Sequence, residues 1–190
     1  MKYKINSIRS ENGIKLTTVD LITIFNRIFS SKYSIQLEGG ADEPMYLPAN
    51  STCKNNRLIF RSDYISSALH EIAHWCLAGE RRRKLIDYGY WYHADGRSDV
   101  QQKIFEEVEI KPQALEWIFS VALNHSFNVS TDNLTEEARP SQCFLKAVSN
   151  QAHVWCVKTM PNRALMFTSA LTDFSGTDPL HSFFYQFPRN

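Results

Sequence analysis

Residues 63–80 read DYISSALHEIAHWCLAGE, a stretch in which apolar residues recur every three or four positions. This spacing predicts an amphipathic helix with one buried face. The apolar face would consist of Ile65, Leu69, Ile72 and Cys76. Ser62 or Asp63 is suited to cap the start of this helix, and Gly79 is suited to mark its end.

The middle of the predicted helix carries the motif H-E-x-x-H, formed by His70, Glu71 and His74. A spacing of four residues brings both histidines onto one face, with Cβ atoms about 6 Å apart, so one metal ion can bind both. Chance would produce the motif about 0.01 times in a chain of this composition. Metal binding is therefore favoured over the alternative of two hydrogen-bonded core histidines.

A catalytic metal needs a third ligand, and the downstream segment FEEVEIKPQALEWIFSVA supplies carboxylates. Glu109 fits best, because Gln113 follows one helical turn later as a supporting partner. Glu106 is the alternative; it lies on the same helical face, and spacing alone does not separate the two. Glu107 and Glu116 are predicted to face solvent.

Two histidines and one carboxylate leave coordination positions open, and this ligand set suits two chemistries. With zinc, the site would activate water, and Glu71 would be the general base of a peptidase. With iron(II), it resembles the facial triad of non-haem oxygenases, which need open positions for dioxygen and substrate. The spacing of the ligands does not decide between the two metals.

The remaining elements predict an α+β fold that is mainly helical, with a few short strands. Residues 17–31 have helical spacing behind Thr17 or Thr18 as the cap. Residues 32–50, with their glycines and prolines, and the stretch NRLIF suggest short strands and turns. A chain of 190 residues is long enough for one core, so a single domain over 1–190 is expected.

Two prolines set further helix limits. Pro112 is tolerated only in a first helical turn, which predicts that its helix begins near Glu109. The segment QCFLKAVSNQAHVWCVKTM is predicted to be helical and to break at Pro161. The C-terminal HSFFYQFPRN is apolar enough to dock on the core.

The charge balance disfavours whole classes of partner. The chain has 21 basic and 20 acidic residues, a net charge of +1, so no global field favours nucleic acid or an anionic membrane. We find no apolar run long enough to span a bilayer and no signal peptide. The four cysteines form no C-x-x-C pair. A reduced, cytoplasmic protein is expected.

Four stretches of the chain are more specific than the bare motif. They read DEPMYLPA, HEIAHWCLAGERRRKLIDYGYWYHADGR, FEEVEIKPQALEWIFSVA and FNVSTDNL. Together they closely resemble the elongation factor P hydroxylase family, and the resemblance runs over residues 19–134. It implies a fold related to zinc-protease-like domains, built around the H-E-x-x-H helix, in spite of a different reaction.

The resemblance also implies a function. Members of that family are regarded as iron-dependent hydroxylases that use dioxygen to hydroxylate a lysine of elongation factor P after it has received a β-lysyl group. By matching motif positions, His70 and His74 would be ligands of Fe(2+). The acidic ligand would come from FEEVE, with Glu109 as the choice over Glu106. Glu71 would then orient bound water or the substrate amine.

Substrate contacts are predicted separately. Residues 81–84, RRRK, form the one concentrated basic run, which is either a solvated turn or a docking patch for an acidic protein partner, with Arg82 and Arg83 as its centre. Tyr90 and Tyr92 either wall a lysine channel, because aromatic faces attract ammonium groups, or pack in the core.

Overall fold

The computed structural model describes residues 16–89, 98–131 and 140–187. Within these ranges, five α-helices and one three-stranded sheet form the fold. The helices are α1 (Thr18–Tyr33), α2 (Ile65–Leu77), α3 (Asp99–Ala122), α4 (Gln142–Val157) and α5 (Asn162–Ser175), and the strands are β1 (Ile35–Ala41), β2 (Met45–Leu47) and β3 (Asn56–Arg61). The predicted mainly helical α+β class is confirmed, whereas the relation to zinc proteases stays a prediction.

Helix α1 begins where the sequence predicts, because Thr17 and Asp20 form a capping box. The Thr17 hydroxyl oxygen accepts a hydrogen bond from the Asp20 amide, and the Asp20 carboxylate accepts one from the Thr17 amide. The helix ends at Ser34, whose backbone is left-handed with φ of 46°. Its core-facing side buries Leu21, Ile24, Phe25 and Phe29.

Strand β3 is the centre of the sheet, parallel to β1 and antiparallel to β2. The pairing of β1 with β3 is irregular between Glu38 and Ala41. Gly39 and Gly40 lie between these two residues, and both positions need glycine. A Cβ on Gly39 would lie 2.6 Å from Cζ of Phe60, and Gly40 has φ of +96°. The sheet packs against α1 through β1 and against α2 through β3.

Helix α2 has different limits from those that the sequence predicts. It begins behind Tyr64, which makes no side-chain cap, so the predicted capping by Ser62 or Asp63 is wrong. Ser62 has φ of 50° and stands outside the helical run. The helix ends at Ala78 in extended backbone, and Gly79 does not adopt the left-handed conformation of a glycine terminator.

An arginine from α5 takes the place of the missing glycine cap. Nη2 of Arg163 donates to the carbonyl oxygens of Trp75 and Cys76, both at 3.0 Å, and of Ala78 at 2.6 Å. Its guanidinium also lies 4.9 Å from the centre of the Trp75 ring. The last carbonyls of α2, which have no partner within the helix, are thus satisfied by a positive charge.

Helix α3 begins at Asp99, so the predicted start near Glu109 is wrong. Ser98 caps it, since its hydroxyl accepts from the Gln101 amide. Pro112 lies inside the helix, and packing of α3 against α2, α4 and α5 outweighs the backbone bond that proline cannot make. Neither α3 nor any other described helix is long and apolar enough to cross a membrane.

Aromatic side chains fill the space between α1, α2 and α5. Trp75 lies 4.8 Å from Phe29 and 5.3 Å from Phe25 between ring centres. Helix α4 ends at Val157, so residues 158–160 are not helical as predicted, whereas the predicted break before Pro161 is confirmed and α5 begins directly after it.

The predicted docking of the C-terminal segment is confirmed up to residue 187. Tyr185 is fully buried, 5.3 Å from the ring of Trp117. This core fixes α2 and α3 against each other.

Candidate metal centre

Helices α2 and α3 bring three of the predicted ligands together. Nε2 of His70 lies 3.0 Å from Nε2 of His74. The carboxylate of Glu109 approaches both, at 3.5 Å from His70 Nε2 and 3.3 Å from His74 Nε2. The donor atoms of all three residues lie within 4.8 Å of one another. Two imidazole nitrogens and one carboxylate at this separation form a group that could hold a metal ion.

Glu116 holds the second nitrogen of His70. Its Oε2 lies 2.8 Å from His70 Nδ1, and a carboxylate can only accept in this pair, so Nδ1 carries the proton. In the neutral imidazole, Nε2 of His70 would then carry the lone pair for a cation. Carboxylate–histidine pairs of this kind orient the imidazole in metal sites. The predicted solvent-facing position of Glu116 is wrong: the residue is 8% exposed.

Gln113 connects the carboxylate of Glu109 to the loop after α3. Its Nε2 lies 3.5 Å from Glu109 Oε2 and donates to the Ser130 carbonyl at 2.8 Å. In return, the Ser130 amide donates to Gln113 Oε1 at 3.0 Å. This buried amide therefore fixes the orientation of Glu109, as the sequence spacing suggested.

Burial and charge shift the ionisation of the group. Burial alone would lower the pKa of His70, but the hydrogen bond to Glu116 and the neighbouring carboxylate charges raise that pKa to about 10. Burial would raise the pKa of Glu109, yet the charges and hydrogen bond of the histidines hold it well below its usual range. A metal ion would have to displace the proton of His70 Nε2, since only a neutral imidazole ligates metal.

A cleft of about 670 Å³ opens onto the three residues. Its wall includes Glu71, which follows His70 and is turned about 100° from it around the helix. Burial raises the pKa of Glu71. The described residues offer its carboxylate no hydrogen bond, so it faces the cleft ready for a ligand or water.

A left-handed turn forms another part of the cleft wall. Asp87, Tyr88 and Gly89 have φ of 46°, 58° and 70°. Left-handed backbone costs a non-glycine residue about 1 kcal/mol or more, and such strain concentrates at functional sites. Asp87 Oδ1 accepts from the Tyr46 amide at 2.7 Å, and the Tyr46 and Tyr88 rings stack at 4.4 Å. Sequence reasoning missed this turn.

The remaining candidates lie at different places. Glu106 accepts hydrogen bonds from the amide and hydroxyl of Ser141 at the start of α4, away from the histidines, and Glu107 is exposed as predicted. Arg82 Nη1 donates to the Tyr88 carbonyl, and Arg83 Nη1 donates to that of Ala78. The predicted channel residues Tyr90 and Tyr92 lie outside the described residues.

Glu116 carried a signal in the sequence that could have identified it. It stands seven residues after Glu109, which places both on one face of a helix, with Gln113 between them. A stripe of this kind is solvated in most helices. Here it faces two histidines of α2, and their N–H groups compensate the buried carboxylates.

Comparison with known proteins gives two matches. A family model described as elongation factor P hydroxylase matches residues 24–184. A curated protein from Haemophilus influenzae, named elongation factor P lysine hydroxylase, is 47% identical over 159 residues, which cover 84% of this chain and 89% of that protein. Both matches include the whole of α2 and α3.

Proposed function

The chain belongs to the elongation factor P hydroxylase family, and from this membership we propose that it hydroxylates a lysine of elongation factor P. The proposed substrate is the lysine that carries a β-lysyl group, the co-substrate is dioxygen, the cofactor is Fe(2+), and the compartment is the cytoplasm. The whole chain is proposed to act as one domain. The observation that carries the proposal is the 47% identity to a named lysine hydroxylase over most of both chains. Neither match supports the zinc peptidase that the motif alone allowed.

The donor set suits the proposed cofactor. His70, His74 and Glu109 would hold iron(II) and leave positions open, and the bound metal would supply the activation of dioxygen. Glu116 would keep the lone pair of His70 Nε2 directed at the metal. The packing of α2 against α3 holds all four side chains in place before any ligand arrives, which lowers the cost of binding.

Glu71 is proposed to serve the substrate, because its carboxylate lines the cleft and no described residue donates a hydrogen bond to it. From that place it would orient bound water or an amine of the substrate. In a peptidase, the same carboxylate would take a proton from water. The two roles of Glu71 differ in the substrate that binds in the cleft, and an assay of the reaction products distinguishes them.

The test is the intact mass of elongation factor P after incubation with the protein. Purified β-lysylated elongation factor P is mixed with the protein, iron(II), air and a reductant. We expect a gain of one oxygen atom, about 16 Da, a fixed signature of the covalent change. The matched control is protein that a chelator has freed of metal and that is assayed without added iron(II); it should give no gain. An unchanged mass, or fragments from cut peptide bonds, would contradict the proposal.

Docking of the protein substrate is proposed to use Arg82 and Arg83. A groove beside the metal group continues from His74 to the exposed Arg81 and Arg82 and to Lys111. Its charge is mainly positive, which favours an acidic partner and accelerates its association. Arg82 and Arg83 each donate to a backbone carbonyl, those of Tyr88 and Ala78, so reversing either charge would also disturb the fold. Arg81 and Lys111 line the same groove and are the better residues to test.

Reversing the charge of Arg81 and Lys111 to glutamate is expected to weaken binding of elongation factor P about tenfold at low salt. The loss should shrink as salt rises, because screening removes the attraction between exposed charges. Binding is measured by calorimetry at two ionic strengths. Lys146→Glu, an exposed reversal on α4, is the control and should leave affinity and metal content unchanged. Equal affinities at low salt would remove the docking role.

A further inference from the structure

The hydroxyl group of Tyr88 is buried in the wall of the metal cleft without a partner. Tyr88 is only 4% exposed and lines the cleft, and its Oη has no hydrogen bond to any residue that the structure describes. Buried hydroxyl groups are nearly always paired, because an unpaired one loses its bonds to water without replacement. An orphaned hydroxyl on a residue that lines a cleft therefore points to a ligand.

The surroundings of Tyr88 hold that hydroxyl in a fixed position. The ring stacks on Tyr46, with an angle of 17° between the planes. Tyr46 is itself anchored, since its hydroxyl donates to the Arg83 carbonyl at 2.8 Å. The left-handed backbone at Asp87 and Tyr88 is retained although it is strained, and the bond from the Tyr46 amide to Asp87 keeps it so.

The charge of the cleft selects the class of ligand. Among the lining residues that the structure describes, carboxylates outnumber the one arginine, Arg61, and the two histidines; they are Glu43, Glu71, Asp87, Glu109 and Glu116. Near Tyr88, Oδ2 of Asp87 and the carboxylate of Glu71 accept no hydrogen bond from the described residues. A cation with several N–H donors matches one hydroxyl oxygen and two free carboxylates.

A second metal ion is the less suitable occupant. Among the described residues, only His70, His74 and Glu109 come close enough together to share an ion. A primary ammonium group carries three donors on a flexible stem and does not require ligands at metal distances. The aromatic pair Tyr46 and Tyr88 would border its aliphatic stem.

We propose that Tyr88, with Asp87 and Glu71, forms a subsite for a primary ammonium group of the substrate beside the metal group. Tyr88 Oη accepts one N–H of the ammonium and fixes its distance from the metal, and the two carboxylates balance its charge. Tyr88 is thus a specificity-determining residue. The inference rests on the proposed function, because it assigns the ammonium group to the lysyl substituent of elongation factor P.

The test is substrate binding without turnover. Iron(II)-loaded protein is titrated anaerobically with β-lysylated elongation factor P in a calorimeter. Tyr88→Phe keeps the stacked ring and removes only the hydroxyl, and we expect binding to weaken by about tenfold to a hundredfold, as for loss of a hydrogen bond to a charged group. Tyr185→Phe is the matched control: its buried hydroxyl donates to the Pro179 carbonyl and does not line the cleft, so stability should fall while affinity stays within about threefold.

A second measurement identifies the ligand class in the wild-type protein. n-Butylamine is expected to displace the substrate at a concentration at least tenfold lower than 1-butanol, which has the same length without the charge. Equal displacement by both compounds would overturn the proposal, as would unchanged affinity in Tyr88→Phe. If the wild-type protein hydroxylates elongation factor P and these results fail, the subsite alone is wrong; if it does not hydroxylate, the proposed function is wrong.

Discussion

Replacing Glu109 with glutamine is expected to remove iron(II) from the protein and to abolish hydroxylation. The carboxylate lies within 3.5 Å of both histidine Nε2 atoms and is 3% exposed, and it is the one carboxylate that joins both histidines in a possible metal-binding group among the described residues. Glutamine has the same shape and lacks the charge. We expect iron affinity to fall by more than about a hundredfold, beyond the range that supporting residues cause. Iron titration and the mass assay measure the two effects.

Two other glutamates on α3 serve as comparisons for Glu109→Gln within the same helix. Glu116→Gln should lower iron affinity by about tenfold to a hundredfold, because Glu116 bonds to Nδ1 of His70 and would orient that ligand without being one itself. Glu106→Gln should leave iron binding unchanged, since Glu106 bonds to Ser141 at the start of α4. The three variants remove the same charge from one helix. Loss of iron from Glu106→Gln with retention in Glu109→Gln would reverse the ligand assignment.

Local patterns explain the parts of the fold that the sequence predicted. Helix α1 has its apolar period and its cap within one stretch, and Thr17 bonds Asp20 three residues away. The metal motif is equally local, since four residues suffice to bring His70 and His74 together. Each of these features depends on neighbours in the chain, so a single sequence contains the information for it.

Contacts between distant segments explain the failures. A proline inside α3 suggested a helix start, because the sequence does not show how tightly that helix is packed. Glu116 resembled a solvated residue, because its partner His70 lies 46 positions away. Tyr88 gave no signal at all. Its importance comes from a strained turn, a stacking partner on β2 and a cleft between two helices, none of which has a local pattern.

The end of α2 also depends on a contact with a distant segment, which the sequence pattern does not show. Removing this contact has the largest expected effect on stability. Arg163→Met is expected to lower the free energy of unfolding by about 3 kcal/mol, because hydrogen bonds to a charged group contribute about 1.5–3 kcal/mol and the loss strands the carbonyls at the end of α2. Methionine keeps most of the volume against the Trp75 ring. For a chain of this size, the melting temperature should fall by about 6–12 °C.

The measurement is denaturation of metal-free protein, because bound metal would add its own binding energy to the folded state. Arg163→Lys keeps the charge without the planar fork, so about half of the loss is expected. Arg27→Met removes an exposed arginine from α1 and should change stability by less than about 0.5 kcal/mol. If Arg163→Met changed the free energy of unfolding as little as Arg27→Met does, water would satisfy the last carbonyls of α2. A large loss of stability would mean that the charge of Arg163 holds the end of α2, next to His74. Arg163 lies 88 positions after Trp75, whose carbonyl it binds.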